Sequence, residues 1–88
     1  MSFDSKPTKE QKLHLGLLIY HYRSAAGITQ EEMAELLDYS PRWIQKIENG
    51  QGNPNWVTLI KIMCLLQISP TQIAEEVNIH VYLHSLQR

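Results

Sequence analysis

Residues 27–50, GITQEEMAELLDYSPRWIQKIENG, decide the fold, and they begin with the signals of a short helix. Thr29 can cap this helix, and Glu32 three residues later completes a capping box. The apolar residues that follow at helical spacing are Met33, Ala34 and Leu37. The pattern predicts a helix over Gln30–Leu37 whose apolar face is turned inward.

A second helix follows after a tight turn. Ser40 can cap it, and Pro41 takes its first position, where the missing amide hydrogen costs little. We expect this helix to run to Asn49 and to be closed by Gly50. Two short capped helices joined in this way predict a helix-turn-helix, whose second helix projects from the body and can enter the major groove of DNA.

The polar face of this second helix has a composition that suits DNA. At about 100° per residue, Ile44 and Ile47 share one side of the helix. The other side carries Arg42, Gln45, Lys46 and Asn49. An arginine or glutamine side chain can form two hydrogen bonds with the edge of one base. An ordinary solvent-exposed helix face can have the same composition. Local charge favours DNA, because residues 39–61 carry a net charge of +2 in a chain whose net charge is −1.

Signals for three more helices surround this unit, in a chain of 88 residues that is long enough for one domain. The predicted helices run from Lys9 to about Ala26, from Trp56 to Gln67 and from Pro70 to Val77. We therefore expect an all-α fold, with a compact five-helix domain over 9–77. A polar arm over 1–8 precedes the domain and is expected to be flexible. A C-terminal extension over 78–88 follows it, and there a helix is favoured over a strand.

Composition and residue types argue against several classes of protein. Hydrophobic residues at 43% and charged residues at 19% indicate a globular chain. The single cysteine, Cys64, excludes an intrachain disulfide and a Cys-rich zinc module, and we expect it to be a core or interface residue. The sequence shows neither a targeting segment nor an apolar run of membrane-spanning length. We therefore expect a cytoplasmic protein that does not enter a membrane.

Catalytic and ligand-binding patterns are missing from the sequence. There is no glycine-rich phosphate loop, nucleophile elbow or paired-carboxylate arrangement, so we expect neither an enzyme nor a cofactor or small-molecule ligand. His80 and His84 have the spacing of a helical metal pair, but no third ligand is evident nearby. We therefore expect no metal site.

Two runs, GITQEEMA at 27–34 and IENG at 47–50, form a specific pattern at this separation. The pattern also includes Leu15-Gly16, Arg23, Asn53-Pro54 and Leu59. Together these residues resemble the phage-repressor (Cro/CI, or XRE-like) helix-turn-helix family over about two thirds of the chain. The resemblance implies a lambda-repressor-like DNA-binding domain, which usually acts as a homodimer on a two-fold DNA site.

The resemblance also implies roles for single residues. Gln30 occupies the position of a phosphate-contacting glutamine, and Arg23 with Glu48 matches an ion pair between the first and third helices. The positions that face bases and nearby phosphates are held by Pro41, Arg42, Gln45 and Lys46. Contacts with the DNA backbone are expected from Asn49 and from the loop 51–55, which includes Asn53 and Asn55. Ser40 and Trp43 complete the residues expected at the DNA surface.

Five residues depart from the family pattern, and two of them, Leu18 and Tyr20, occupy positions of the first helix that are often basic in the family, which weakens the expected contact with phosphates. Asp38 replaces the glycine that is usual in the turn, although aspartate tolerates a left-handed backbone better than most residues. Pro41 and Trp43 are unusual on a recognition helix. Trp43 can contact a thymine methyl or the sugar–phosphate wall, or it can cover the edge of the core, which is the interpretation we favour.

The fourth helix holds more apolar residues than one face can bury. The residues expected to face the core are Trp56, Leu59, Met63 and Leu66. The apolar residues left over, on this helix and in the tail, predict an interface in a homodimer. The interface candidates are Ile60, Cys64, Leu65, Tyr82, Leu83 and Leu86. Dimerisation would place two recognition helices about 34 Å apart, and the alternative is a tail that folds back over its own fourth helix.

The function that these patterns favour is sequence-specific regulation of transcription. The third helix would enter the major groove of double-stranded DNA, and either repression or activation could follow. The near-neutral net charge and the apolar tail support an alternative, a protein-interaction module on the same fold, such as an antitoxin-like or partner-binding regulator.

Overall fold

The computed structural model describes residues 8–76, which form an all-α fold. Its five helices are α1 Lys9–Ala25, α2 Gln30–Leu37, α3 Pro41–Glu48, α4 Trp56–Leu66 and α5 Pro70–Glu76. The expected five-helix architecture is confirmed, and each predicted helix agrees with the structure to within one residue at either end. The predicted arm, apart from its last residue, and the predicted extension over 78–88 lie outside the described residues. Their boundaries stay predictions.

Side-chain caps begin the helices where the sequence predicts them. Thr29 Oγ1 accepts the Glu32 backbone N–H at 3.0 Å, and Glu32 Oε1 accepts the Thr29 backbone N–H at 2.9 Å. At the start of α3, Ser40 Oγ accepts the Trp43 backbone N–H at 3.1 Å. Thr8, which the sequence placed in the arm, forms an equivalent capping box at the start of α1. These bonds satisfy backbone N–H groups that have no partner within the helix.

The turn between α2 and α3 is built around Asp38. This residue has a φ of 62°, the left-handed conformation expected where glycine is usual. The next backbone N–H, that of Tyr39, donates to the Ala34 carbonyl at 2.8 Å. The left-handed cap ends α2 abruptly and so sets the direction in which α3 leaves the turn.

The core lies between the first four helices and the start of the segment that follows α4. Its buried apolar residues are Ile19, Met33, Ala34, Leu37, Ile44, Ile47, Ile62, Leu66 and Ile68. The inward faces predicted for α2 and α3 are the faces that the structure buries. α3 therefore contributes one apolar side to the core and keeps the opposite side at the surface.

α1 approaches the backbone of α3 closely at Gly16. A Cβ atom on this residue would lie 2.5 Å from the Ile47 carbonyl oxygen and 2.6 Å from the Glu48 carbonyl oxygen. Because both atoms belong to the backbone, a larger residue would force the helices apart. This contact and the packing of α2 hold α3 on two sides.

The face of α4 that meets the core differs from the predicted one. Trp56 was expected inside, but its residue surface is 73% exposed. The buried residues are Thr58, Ile62 and Leu66, which recur every four positions. Trp56 lies two positions before Thr58, about 200° around the helix, and so points away from the core. Cys64 is also exposed, which excludes the core and leaves the interface as the other position expected for it.

α4 and α5 are short and meet at a sharp angle. Among residues 8–76, no single helix has both the length and the apolar character needed to cross a membrane. α4 and α5 meet that criterion only when they are counted together, and the chain bends by 115° between them.

Candidate nucleic-acid interface

The outer face of α3 brings together the polar residues that the sequence singled out. Arg42, Gln45, Lys46 and Asn49 are all exposed. Their spacing of three, one and three residues places them on one side of the helix. Ile44 and Ile47 are buried on the other side. The arrangement gives a narrow polar ridge with two cations on it.

A buried network lies directly beneath the end of this ridge. Glu48 accepts the Arg23 Nε–H at 2.6 Å through one carboxylate oxygen and the Arg23 Nη2–H at 3.0 Å through the other. The side chains are only 10% and 3% exposed. The hydrogen bond to Glu48 raises the pKa of Arg23, which therefore stays charged. Arg23 also donates to the Ile28 carbonyl at 2.7 Å, which ties α1 to the start of the helix-turn-helix.

Gln30 joins the same network from the start of α2. Its Nε2 donates to Glu48 Oε1 at 2.9 Å. Sequence reasoning assigned Gln30 to a phosphate and did not foresee this bond, because residues 18 positions apart give no local signal of contact. The amide has two N–H groups and one oxygen, so one bond to Glu48 orients the group without using all of its capacity.

The network also removes the nearest negative charge from the surface. Glu48 is the one acidic residue within α3, and its carboxylate is buried against Arg23. The exposed side of α3 therefore presents Arg42 and Lys46 with no carboxylate on the same helix face. A cationic, amide-bearing ridge of this kind can donate hydrogen bonds to phosphate oxygens and can form hydrogen bonds with base edges.

Trp43 lies at the edge of the core beside the ridge. It is half-buried and packs against the buried cluster. Its ring stacks on Tyr39, with centroids 4.1 Å apart and an interplanar angle of 11°. The Tyr39 hydroxyl shares a hydrogen bond of 2.6 Å with the buried Thr58 hydroxyl. This position agrees with the packing interpretation of Trp43, and it ties the turn to α4.

Two other candidates for DNA contact have structural tasks in the free protein. The Ser40 hydroxyl caps α3. The Asn55 side chain caps α4 by accepting the Thr58 backbone N–H at 2.9 Å. Pro41 and Asn53 are exposed. The contacts of these four residues with DNA stay predictions.

The residues proposed for the dimer interface are divided by the structure. Ile60 and Cys64 are exposed on α4, whereas Leu65 is half-buried and packs against the core. The remaining interface candidates, Tyr82, Leu83 and Leu86, lie outside the described residues. The two histidines of the possible metal pair, His80 and His84, lie outside them as well. Within residues 8–76, no three His, Cys, Asp or Glu side chains are grouped so that they could hold a metal ion.

Comparison with known proteins covers this whole region. A family model described as a helix-turn-helix domain matches residues 14–75. The match includes α2, the turn and α3, together with every candidate DNA contact named above. No curated protein matches the chain.

Proposed function

Because the chain belongs to the helix-turn-helix domain family, we propose that it is a sequence-specific DNA-binding regulator of transcription. α3 enters the major groove, which is about 12 Å wide and admits one helix. The protein acts by binding in the cytoplasm and carries out no catalysis. It works in the manner of the phage repressors that its sequence resembles.

One observation carries this proposal more than any other. The exposed side of α3 presents Arg42 and Lys46, while the acid of the same helix, Glu48, is buried in a network with Arg23. The ridge is cationic although the whole chain has a net charge of −1. Local charge of this kind attracts the phosphate backbone even when the net charge does not.

The proposed roles follow from position on the ridge. Arg42, Gln45 and Lys46 read bases or bind neighbouring phosphates, since they lie in the middle of the exposed side. Gln30 and Asn49 lie at the two ends of the helix-turn-helix and fix its register on the DNA backbone. A homodimer places two such units on a two-fold site, with recognition helices about 34 Å apart. Occlusion of a promoter is the simplest outcome of such binding.

The test is the Arg42→Ala variant on a preferred DNA site. The site is first selected from a pool of random duplexes with the wild-type full chain. Gel-shift titration then compares the two proteins on this site and on sites with single base changes. We expect Arg42→Ala to lose about 1–3 kcal/mol of binding free energy and to discriminate less between bases at one position.

Lys61→Ala is the matched control, because it removes the same charge from α4 instead of α3. Its discrimination between bases should equal that of the wild type. If Arg42→Ala retains both the affinity and the base preference of the wild type, α3 does not read DNA through Arg42 and the assignment is wrong.

A second candidate function has its own supporting observation. Several large apolar residues are exposed outside the ridge, among them Trp56, Ile60 and Leu36. Apolar surface of this kind is typical of contacts with protein. The alternative function is therefore a protein-interaction module that retains the helix-turn-helix fold.

A further inference from the structure

The two ends of α3 are held in place by different kinds of contact. The C-terminal end lies against the α1 backbone at Gly16, and it carries Glu48, whose carboxylate is paired with Arg23. The N-terminal half carries Arg42 on its exposed side. Within residues 8–76, no ion pair reaches this half of α3. The contacts that hold it are therefore uncharged.

Three side chains connect the N-terminal half of α3 to α4. We call Tyr39, Trp43 and Thr58 the Tyr39 cluster. The Tyr39 ring stacks on the Trp43 ring, with centroids 4.1 Å apart, and Trp43 lies in the first turn of α3. The Tyr39 hydroxyl is bonded to the hydroxyl of Thr58, a residue of α4 that is only 3% exposed. The cluster thus runs from the buried side of α4 to the first turn of the helix proposed to read DNA.

The Tyr39 cluster has geometric requirements that apolar packing lacks. A hydrogen bond weakens when its distance or its angle changes, and stacked rings favour particular arrangements. Burial of apolar surface, which is what Ile44 contributes in this half of α3, has no preferred direction. Because Trp43 lies about 100° around the helix from Arg42, a fixed indole ring also fixes the direction in which Arg42 leaves the helix.

We propose that Tyr39 is a positioning residue for base recognition, which holds α3 at the rotation that directs Arg42 and Gln45 to the base edges. The inference rests on the proposed function, because it concerns how α3 reads DNA. Base edges are contacted mainly by the N-terminal residues of a recognition helix, so the rotation of this part determines which bases are read. Tyr39 belongs to the turn before α3 and is not among the residues expected at the DNA surface.

Tyr39 acts through Trp43 and makes no bond to DNA. Both of its side-chain partners belong to the protein, since the hydroxyl is bonded to Thr58 and one ring face lies on Trp43. Thr58 is buried, so removal of the Tyr39 hydroxyl leaves a buried hydroxyl without this partner. The Tyr39→Phe variant therefore releases the ring from α4 while every residue of the exposed ridge stays unchanged.

The test compares Tyr39→Phe with the wild type as full chains on two kinds of DNA site. One is the site selected by the wild type, and the other is the same site with single base changes. Gel-shift titration gives the ratio of the dissociation constants for the changed and the selected sites. Partial unfolding weakens binding to both sites by the same factor, so it cancels in this ratio. We expect Tyr39→Phe to lower the ratio about two- to tenfold, which is what one neutral hydrogen bond can transmit.

Thr58→Val tests the same bond from its other end. It removes the partner hydroxyl from α4, outside the helix-turn-helix, and keeps the shape of the side chain. Because both variants break one bond, Thr58→Val should lower the ratio to a similar extent. The double variant Tyr39→Phe with Thr58→Val should lower it no further than the larger of the two single effects. Circular dichroism confirms that all three variants remain helical.

Ile62→Val is the matched control. Ile62 is buried on the same side of α4 as Thr58, and the substitution removes one methyl group from the core while the Tyr39 hydroxyl keeps its partner. The variant should be less stable than the wild type in urea unfolding. Its ratio of dissociation constants should equal that of the wild type, because lowered stability alone does not change base recognition.

Three results would overturn the inference and leave DNA binding intact. In the first, Tyr39→Phe keeps the ratio of the wild type. In the second, the effects of Tyr39→Phe and Thr58→Val add in the double variant, so the two hydroxyls act separately. In the third, Ile62→Val lowers the ratio as much as Tyr39→Phe does. The proposed function fails by a different result, a wild type that binds all DNA sequences alike, and this result contradicts the inference as well.

Discussion

Glu48 accepts hydrogen bonds from three N–H groups of two side chains, although it belongs to the helix proposed to read DNA. Its carboxylate joins α3 to Arg23 of α1 and to Gln30 of α2. A buried ion pair of this kind adds little net stability, but the loss of one partner leaves an unpaired charge in the interior. The residue therefore positions α3 and does not itself face DNA.

The Glu48→Leu variant should lose about 3–5 kcal/mol of unfolding free energy, because the guanidinium of Arg23 stays buried without its carboxylate. Urea unfolding followed by circular dichroism measures the loss. The double variant Arg23→Met with Glu48→Leu removes both charges and should lose less than the two single losses added together. Simple additivity of the two losses would show that the ion pair does not couple the helices.

The capping box of α2 should make stability depend on pH. Hydrogen bonds from the backbone and side chain of Thr29 lower the pKa of Glu32. A lowered pKa in the folded state stabilises the protein above the ordinary glutamate pKa of about 4.3, and this stabilisation disappears as the pH falls through the lowered pKa. Glu32→Gln should therefore be less stable than the wild type at neutral pH, and the difference should vanish in acid.

Thermal unfolding at a series of pH values checks this expectation. Glu35→Gln is the control, because it removes an exposed carboxylate from the same helix but outside the cap. A stability difference for Glu32→Gln that persists unchanged at low pH would mean that the ionised carboxylate does not form the cap.

Residue-scale prediction succeeded where the signal is local. The caps at Thr29 and Ser40 involve partners three positions away, so the sequence contains both partners in one window. The bond between Gln30 and Glu48 links separate helices, and its partners are chosen by the packing of those helices. Such a contact has no periodic signal in the sequence.

At the scale of elements, two glycines next to α1 and α3 have the same backbone conformation but different surroundings. Gly27 has a φ of 72° and Gly50 a φ of 75°. A Cβ on Gly27 would have no atom within 4 Å, whereas a Cβ on Gly50 would lie 2.8 Å from the Leu13 Cα. Alanine substitutions at the two positions therefore distinguish the cost of a left-handed backbone, which both share, from the cost of a steric clash, which only Gly50 has.

Gly27→Ala should lose about 1–2 kcal/mol of unfolding free energy from the left-handed conformation alone. Gly50→Ala should lose a further 1–3 kcal/mol, roughly, because the added methyl group pushes α1 away from the end of α3. Urea unfolding of both variants measures the difference. Equal losses of unfolding free energy would show that the backbone at Gly50 moves away from Leu13 without cost. The contact with Leu13 would then not fix the position of the chain after α3.

Helix limits could be predicted from sequence, but the orientation of α4 could not. The limits follow from caps, glycines and prolines, which act over a few residues. α4 is apolar on nearly every side, so its periodicity does not distinguish the side that meets the core. Thr58, a polar residue, is buried where the Tyr39 hydroxyl provides it with a partner, and Trp56 lies on the exposed side of the helix.

At the scale of the whole molecule, DNA binding should depend steeply on salt concentration. Each phosphate contacted by a cation releases counterions, and this contributes a slope of about −0.9 to the logarithmic plot of affinity against salt. Lys46→Ala should make the slope shallower by about one and should weaken binding to all sequences alike. Fluorescence anisotropy with a labelled duplex at a series of salt concentrations measures both effects.

An unrelated acidic protein serves as the competitor in the same measurement. A chain that binds DNA and this protein equally well would favour the alternative function, a protein-interaction module. Affinity for DNA that does not change with salt would contradict the placement of Lys46 against a phosphate.

The two sides of α3 share no residue: Ile44, Ile47 and Glu48 hold the helix in place, while the exposed ridge has no part in that task. If the ridge reads DNA as we propose, substitutions on it would alter which operator is chosen without endangering folding. Gene duplication followed by changes at positions 42, 45 and 46 would then give paralogues that control different genes from an unchanged scaffold. The same separation would make this chain a suitable starting point for engineering new DNA specificities.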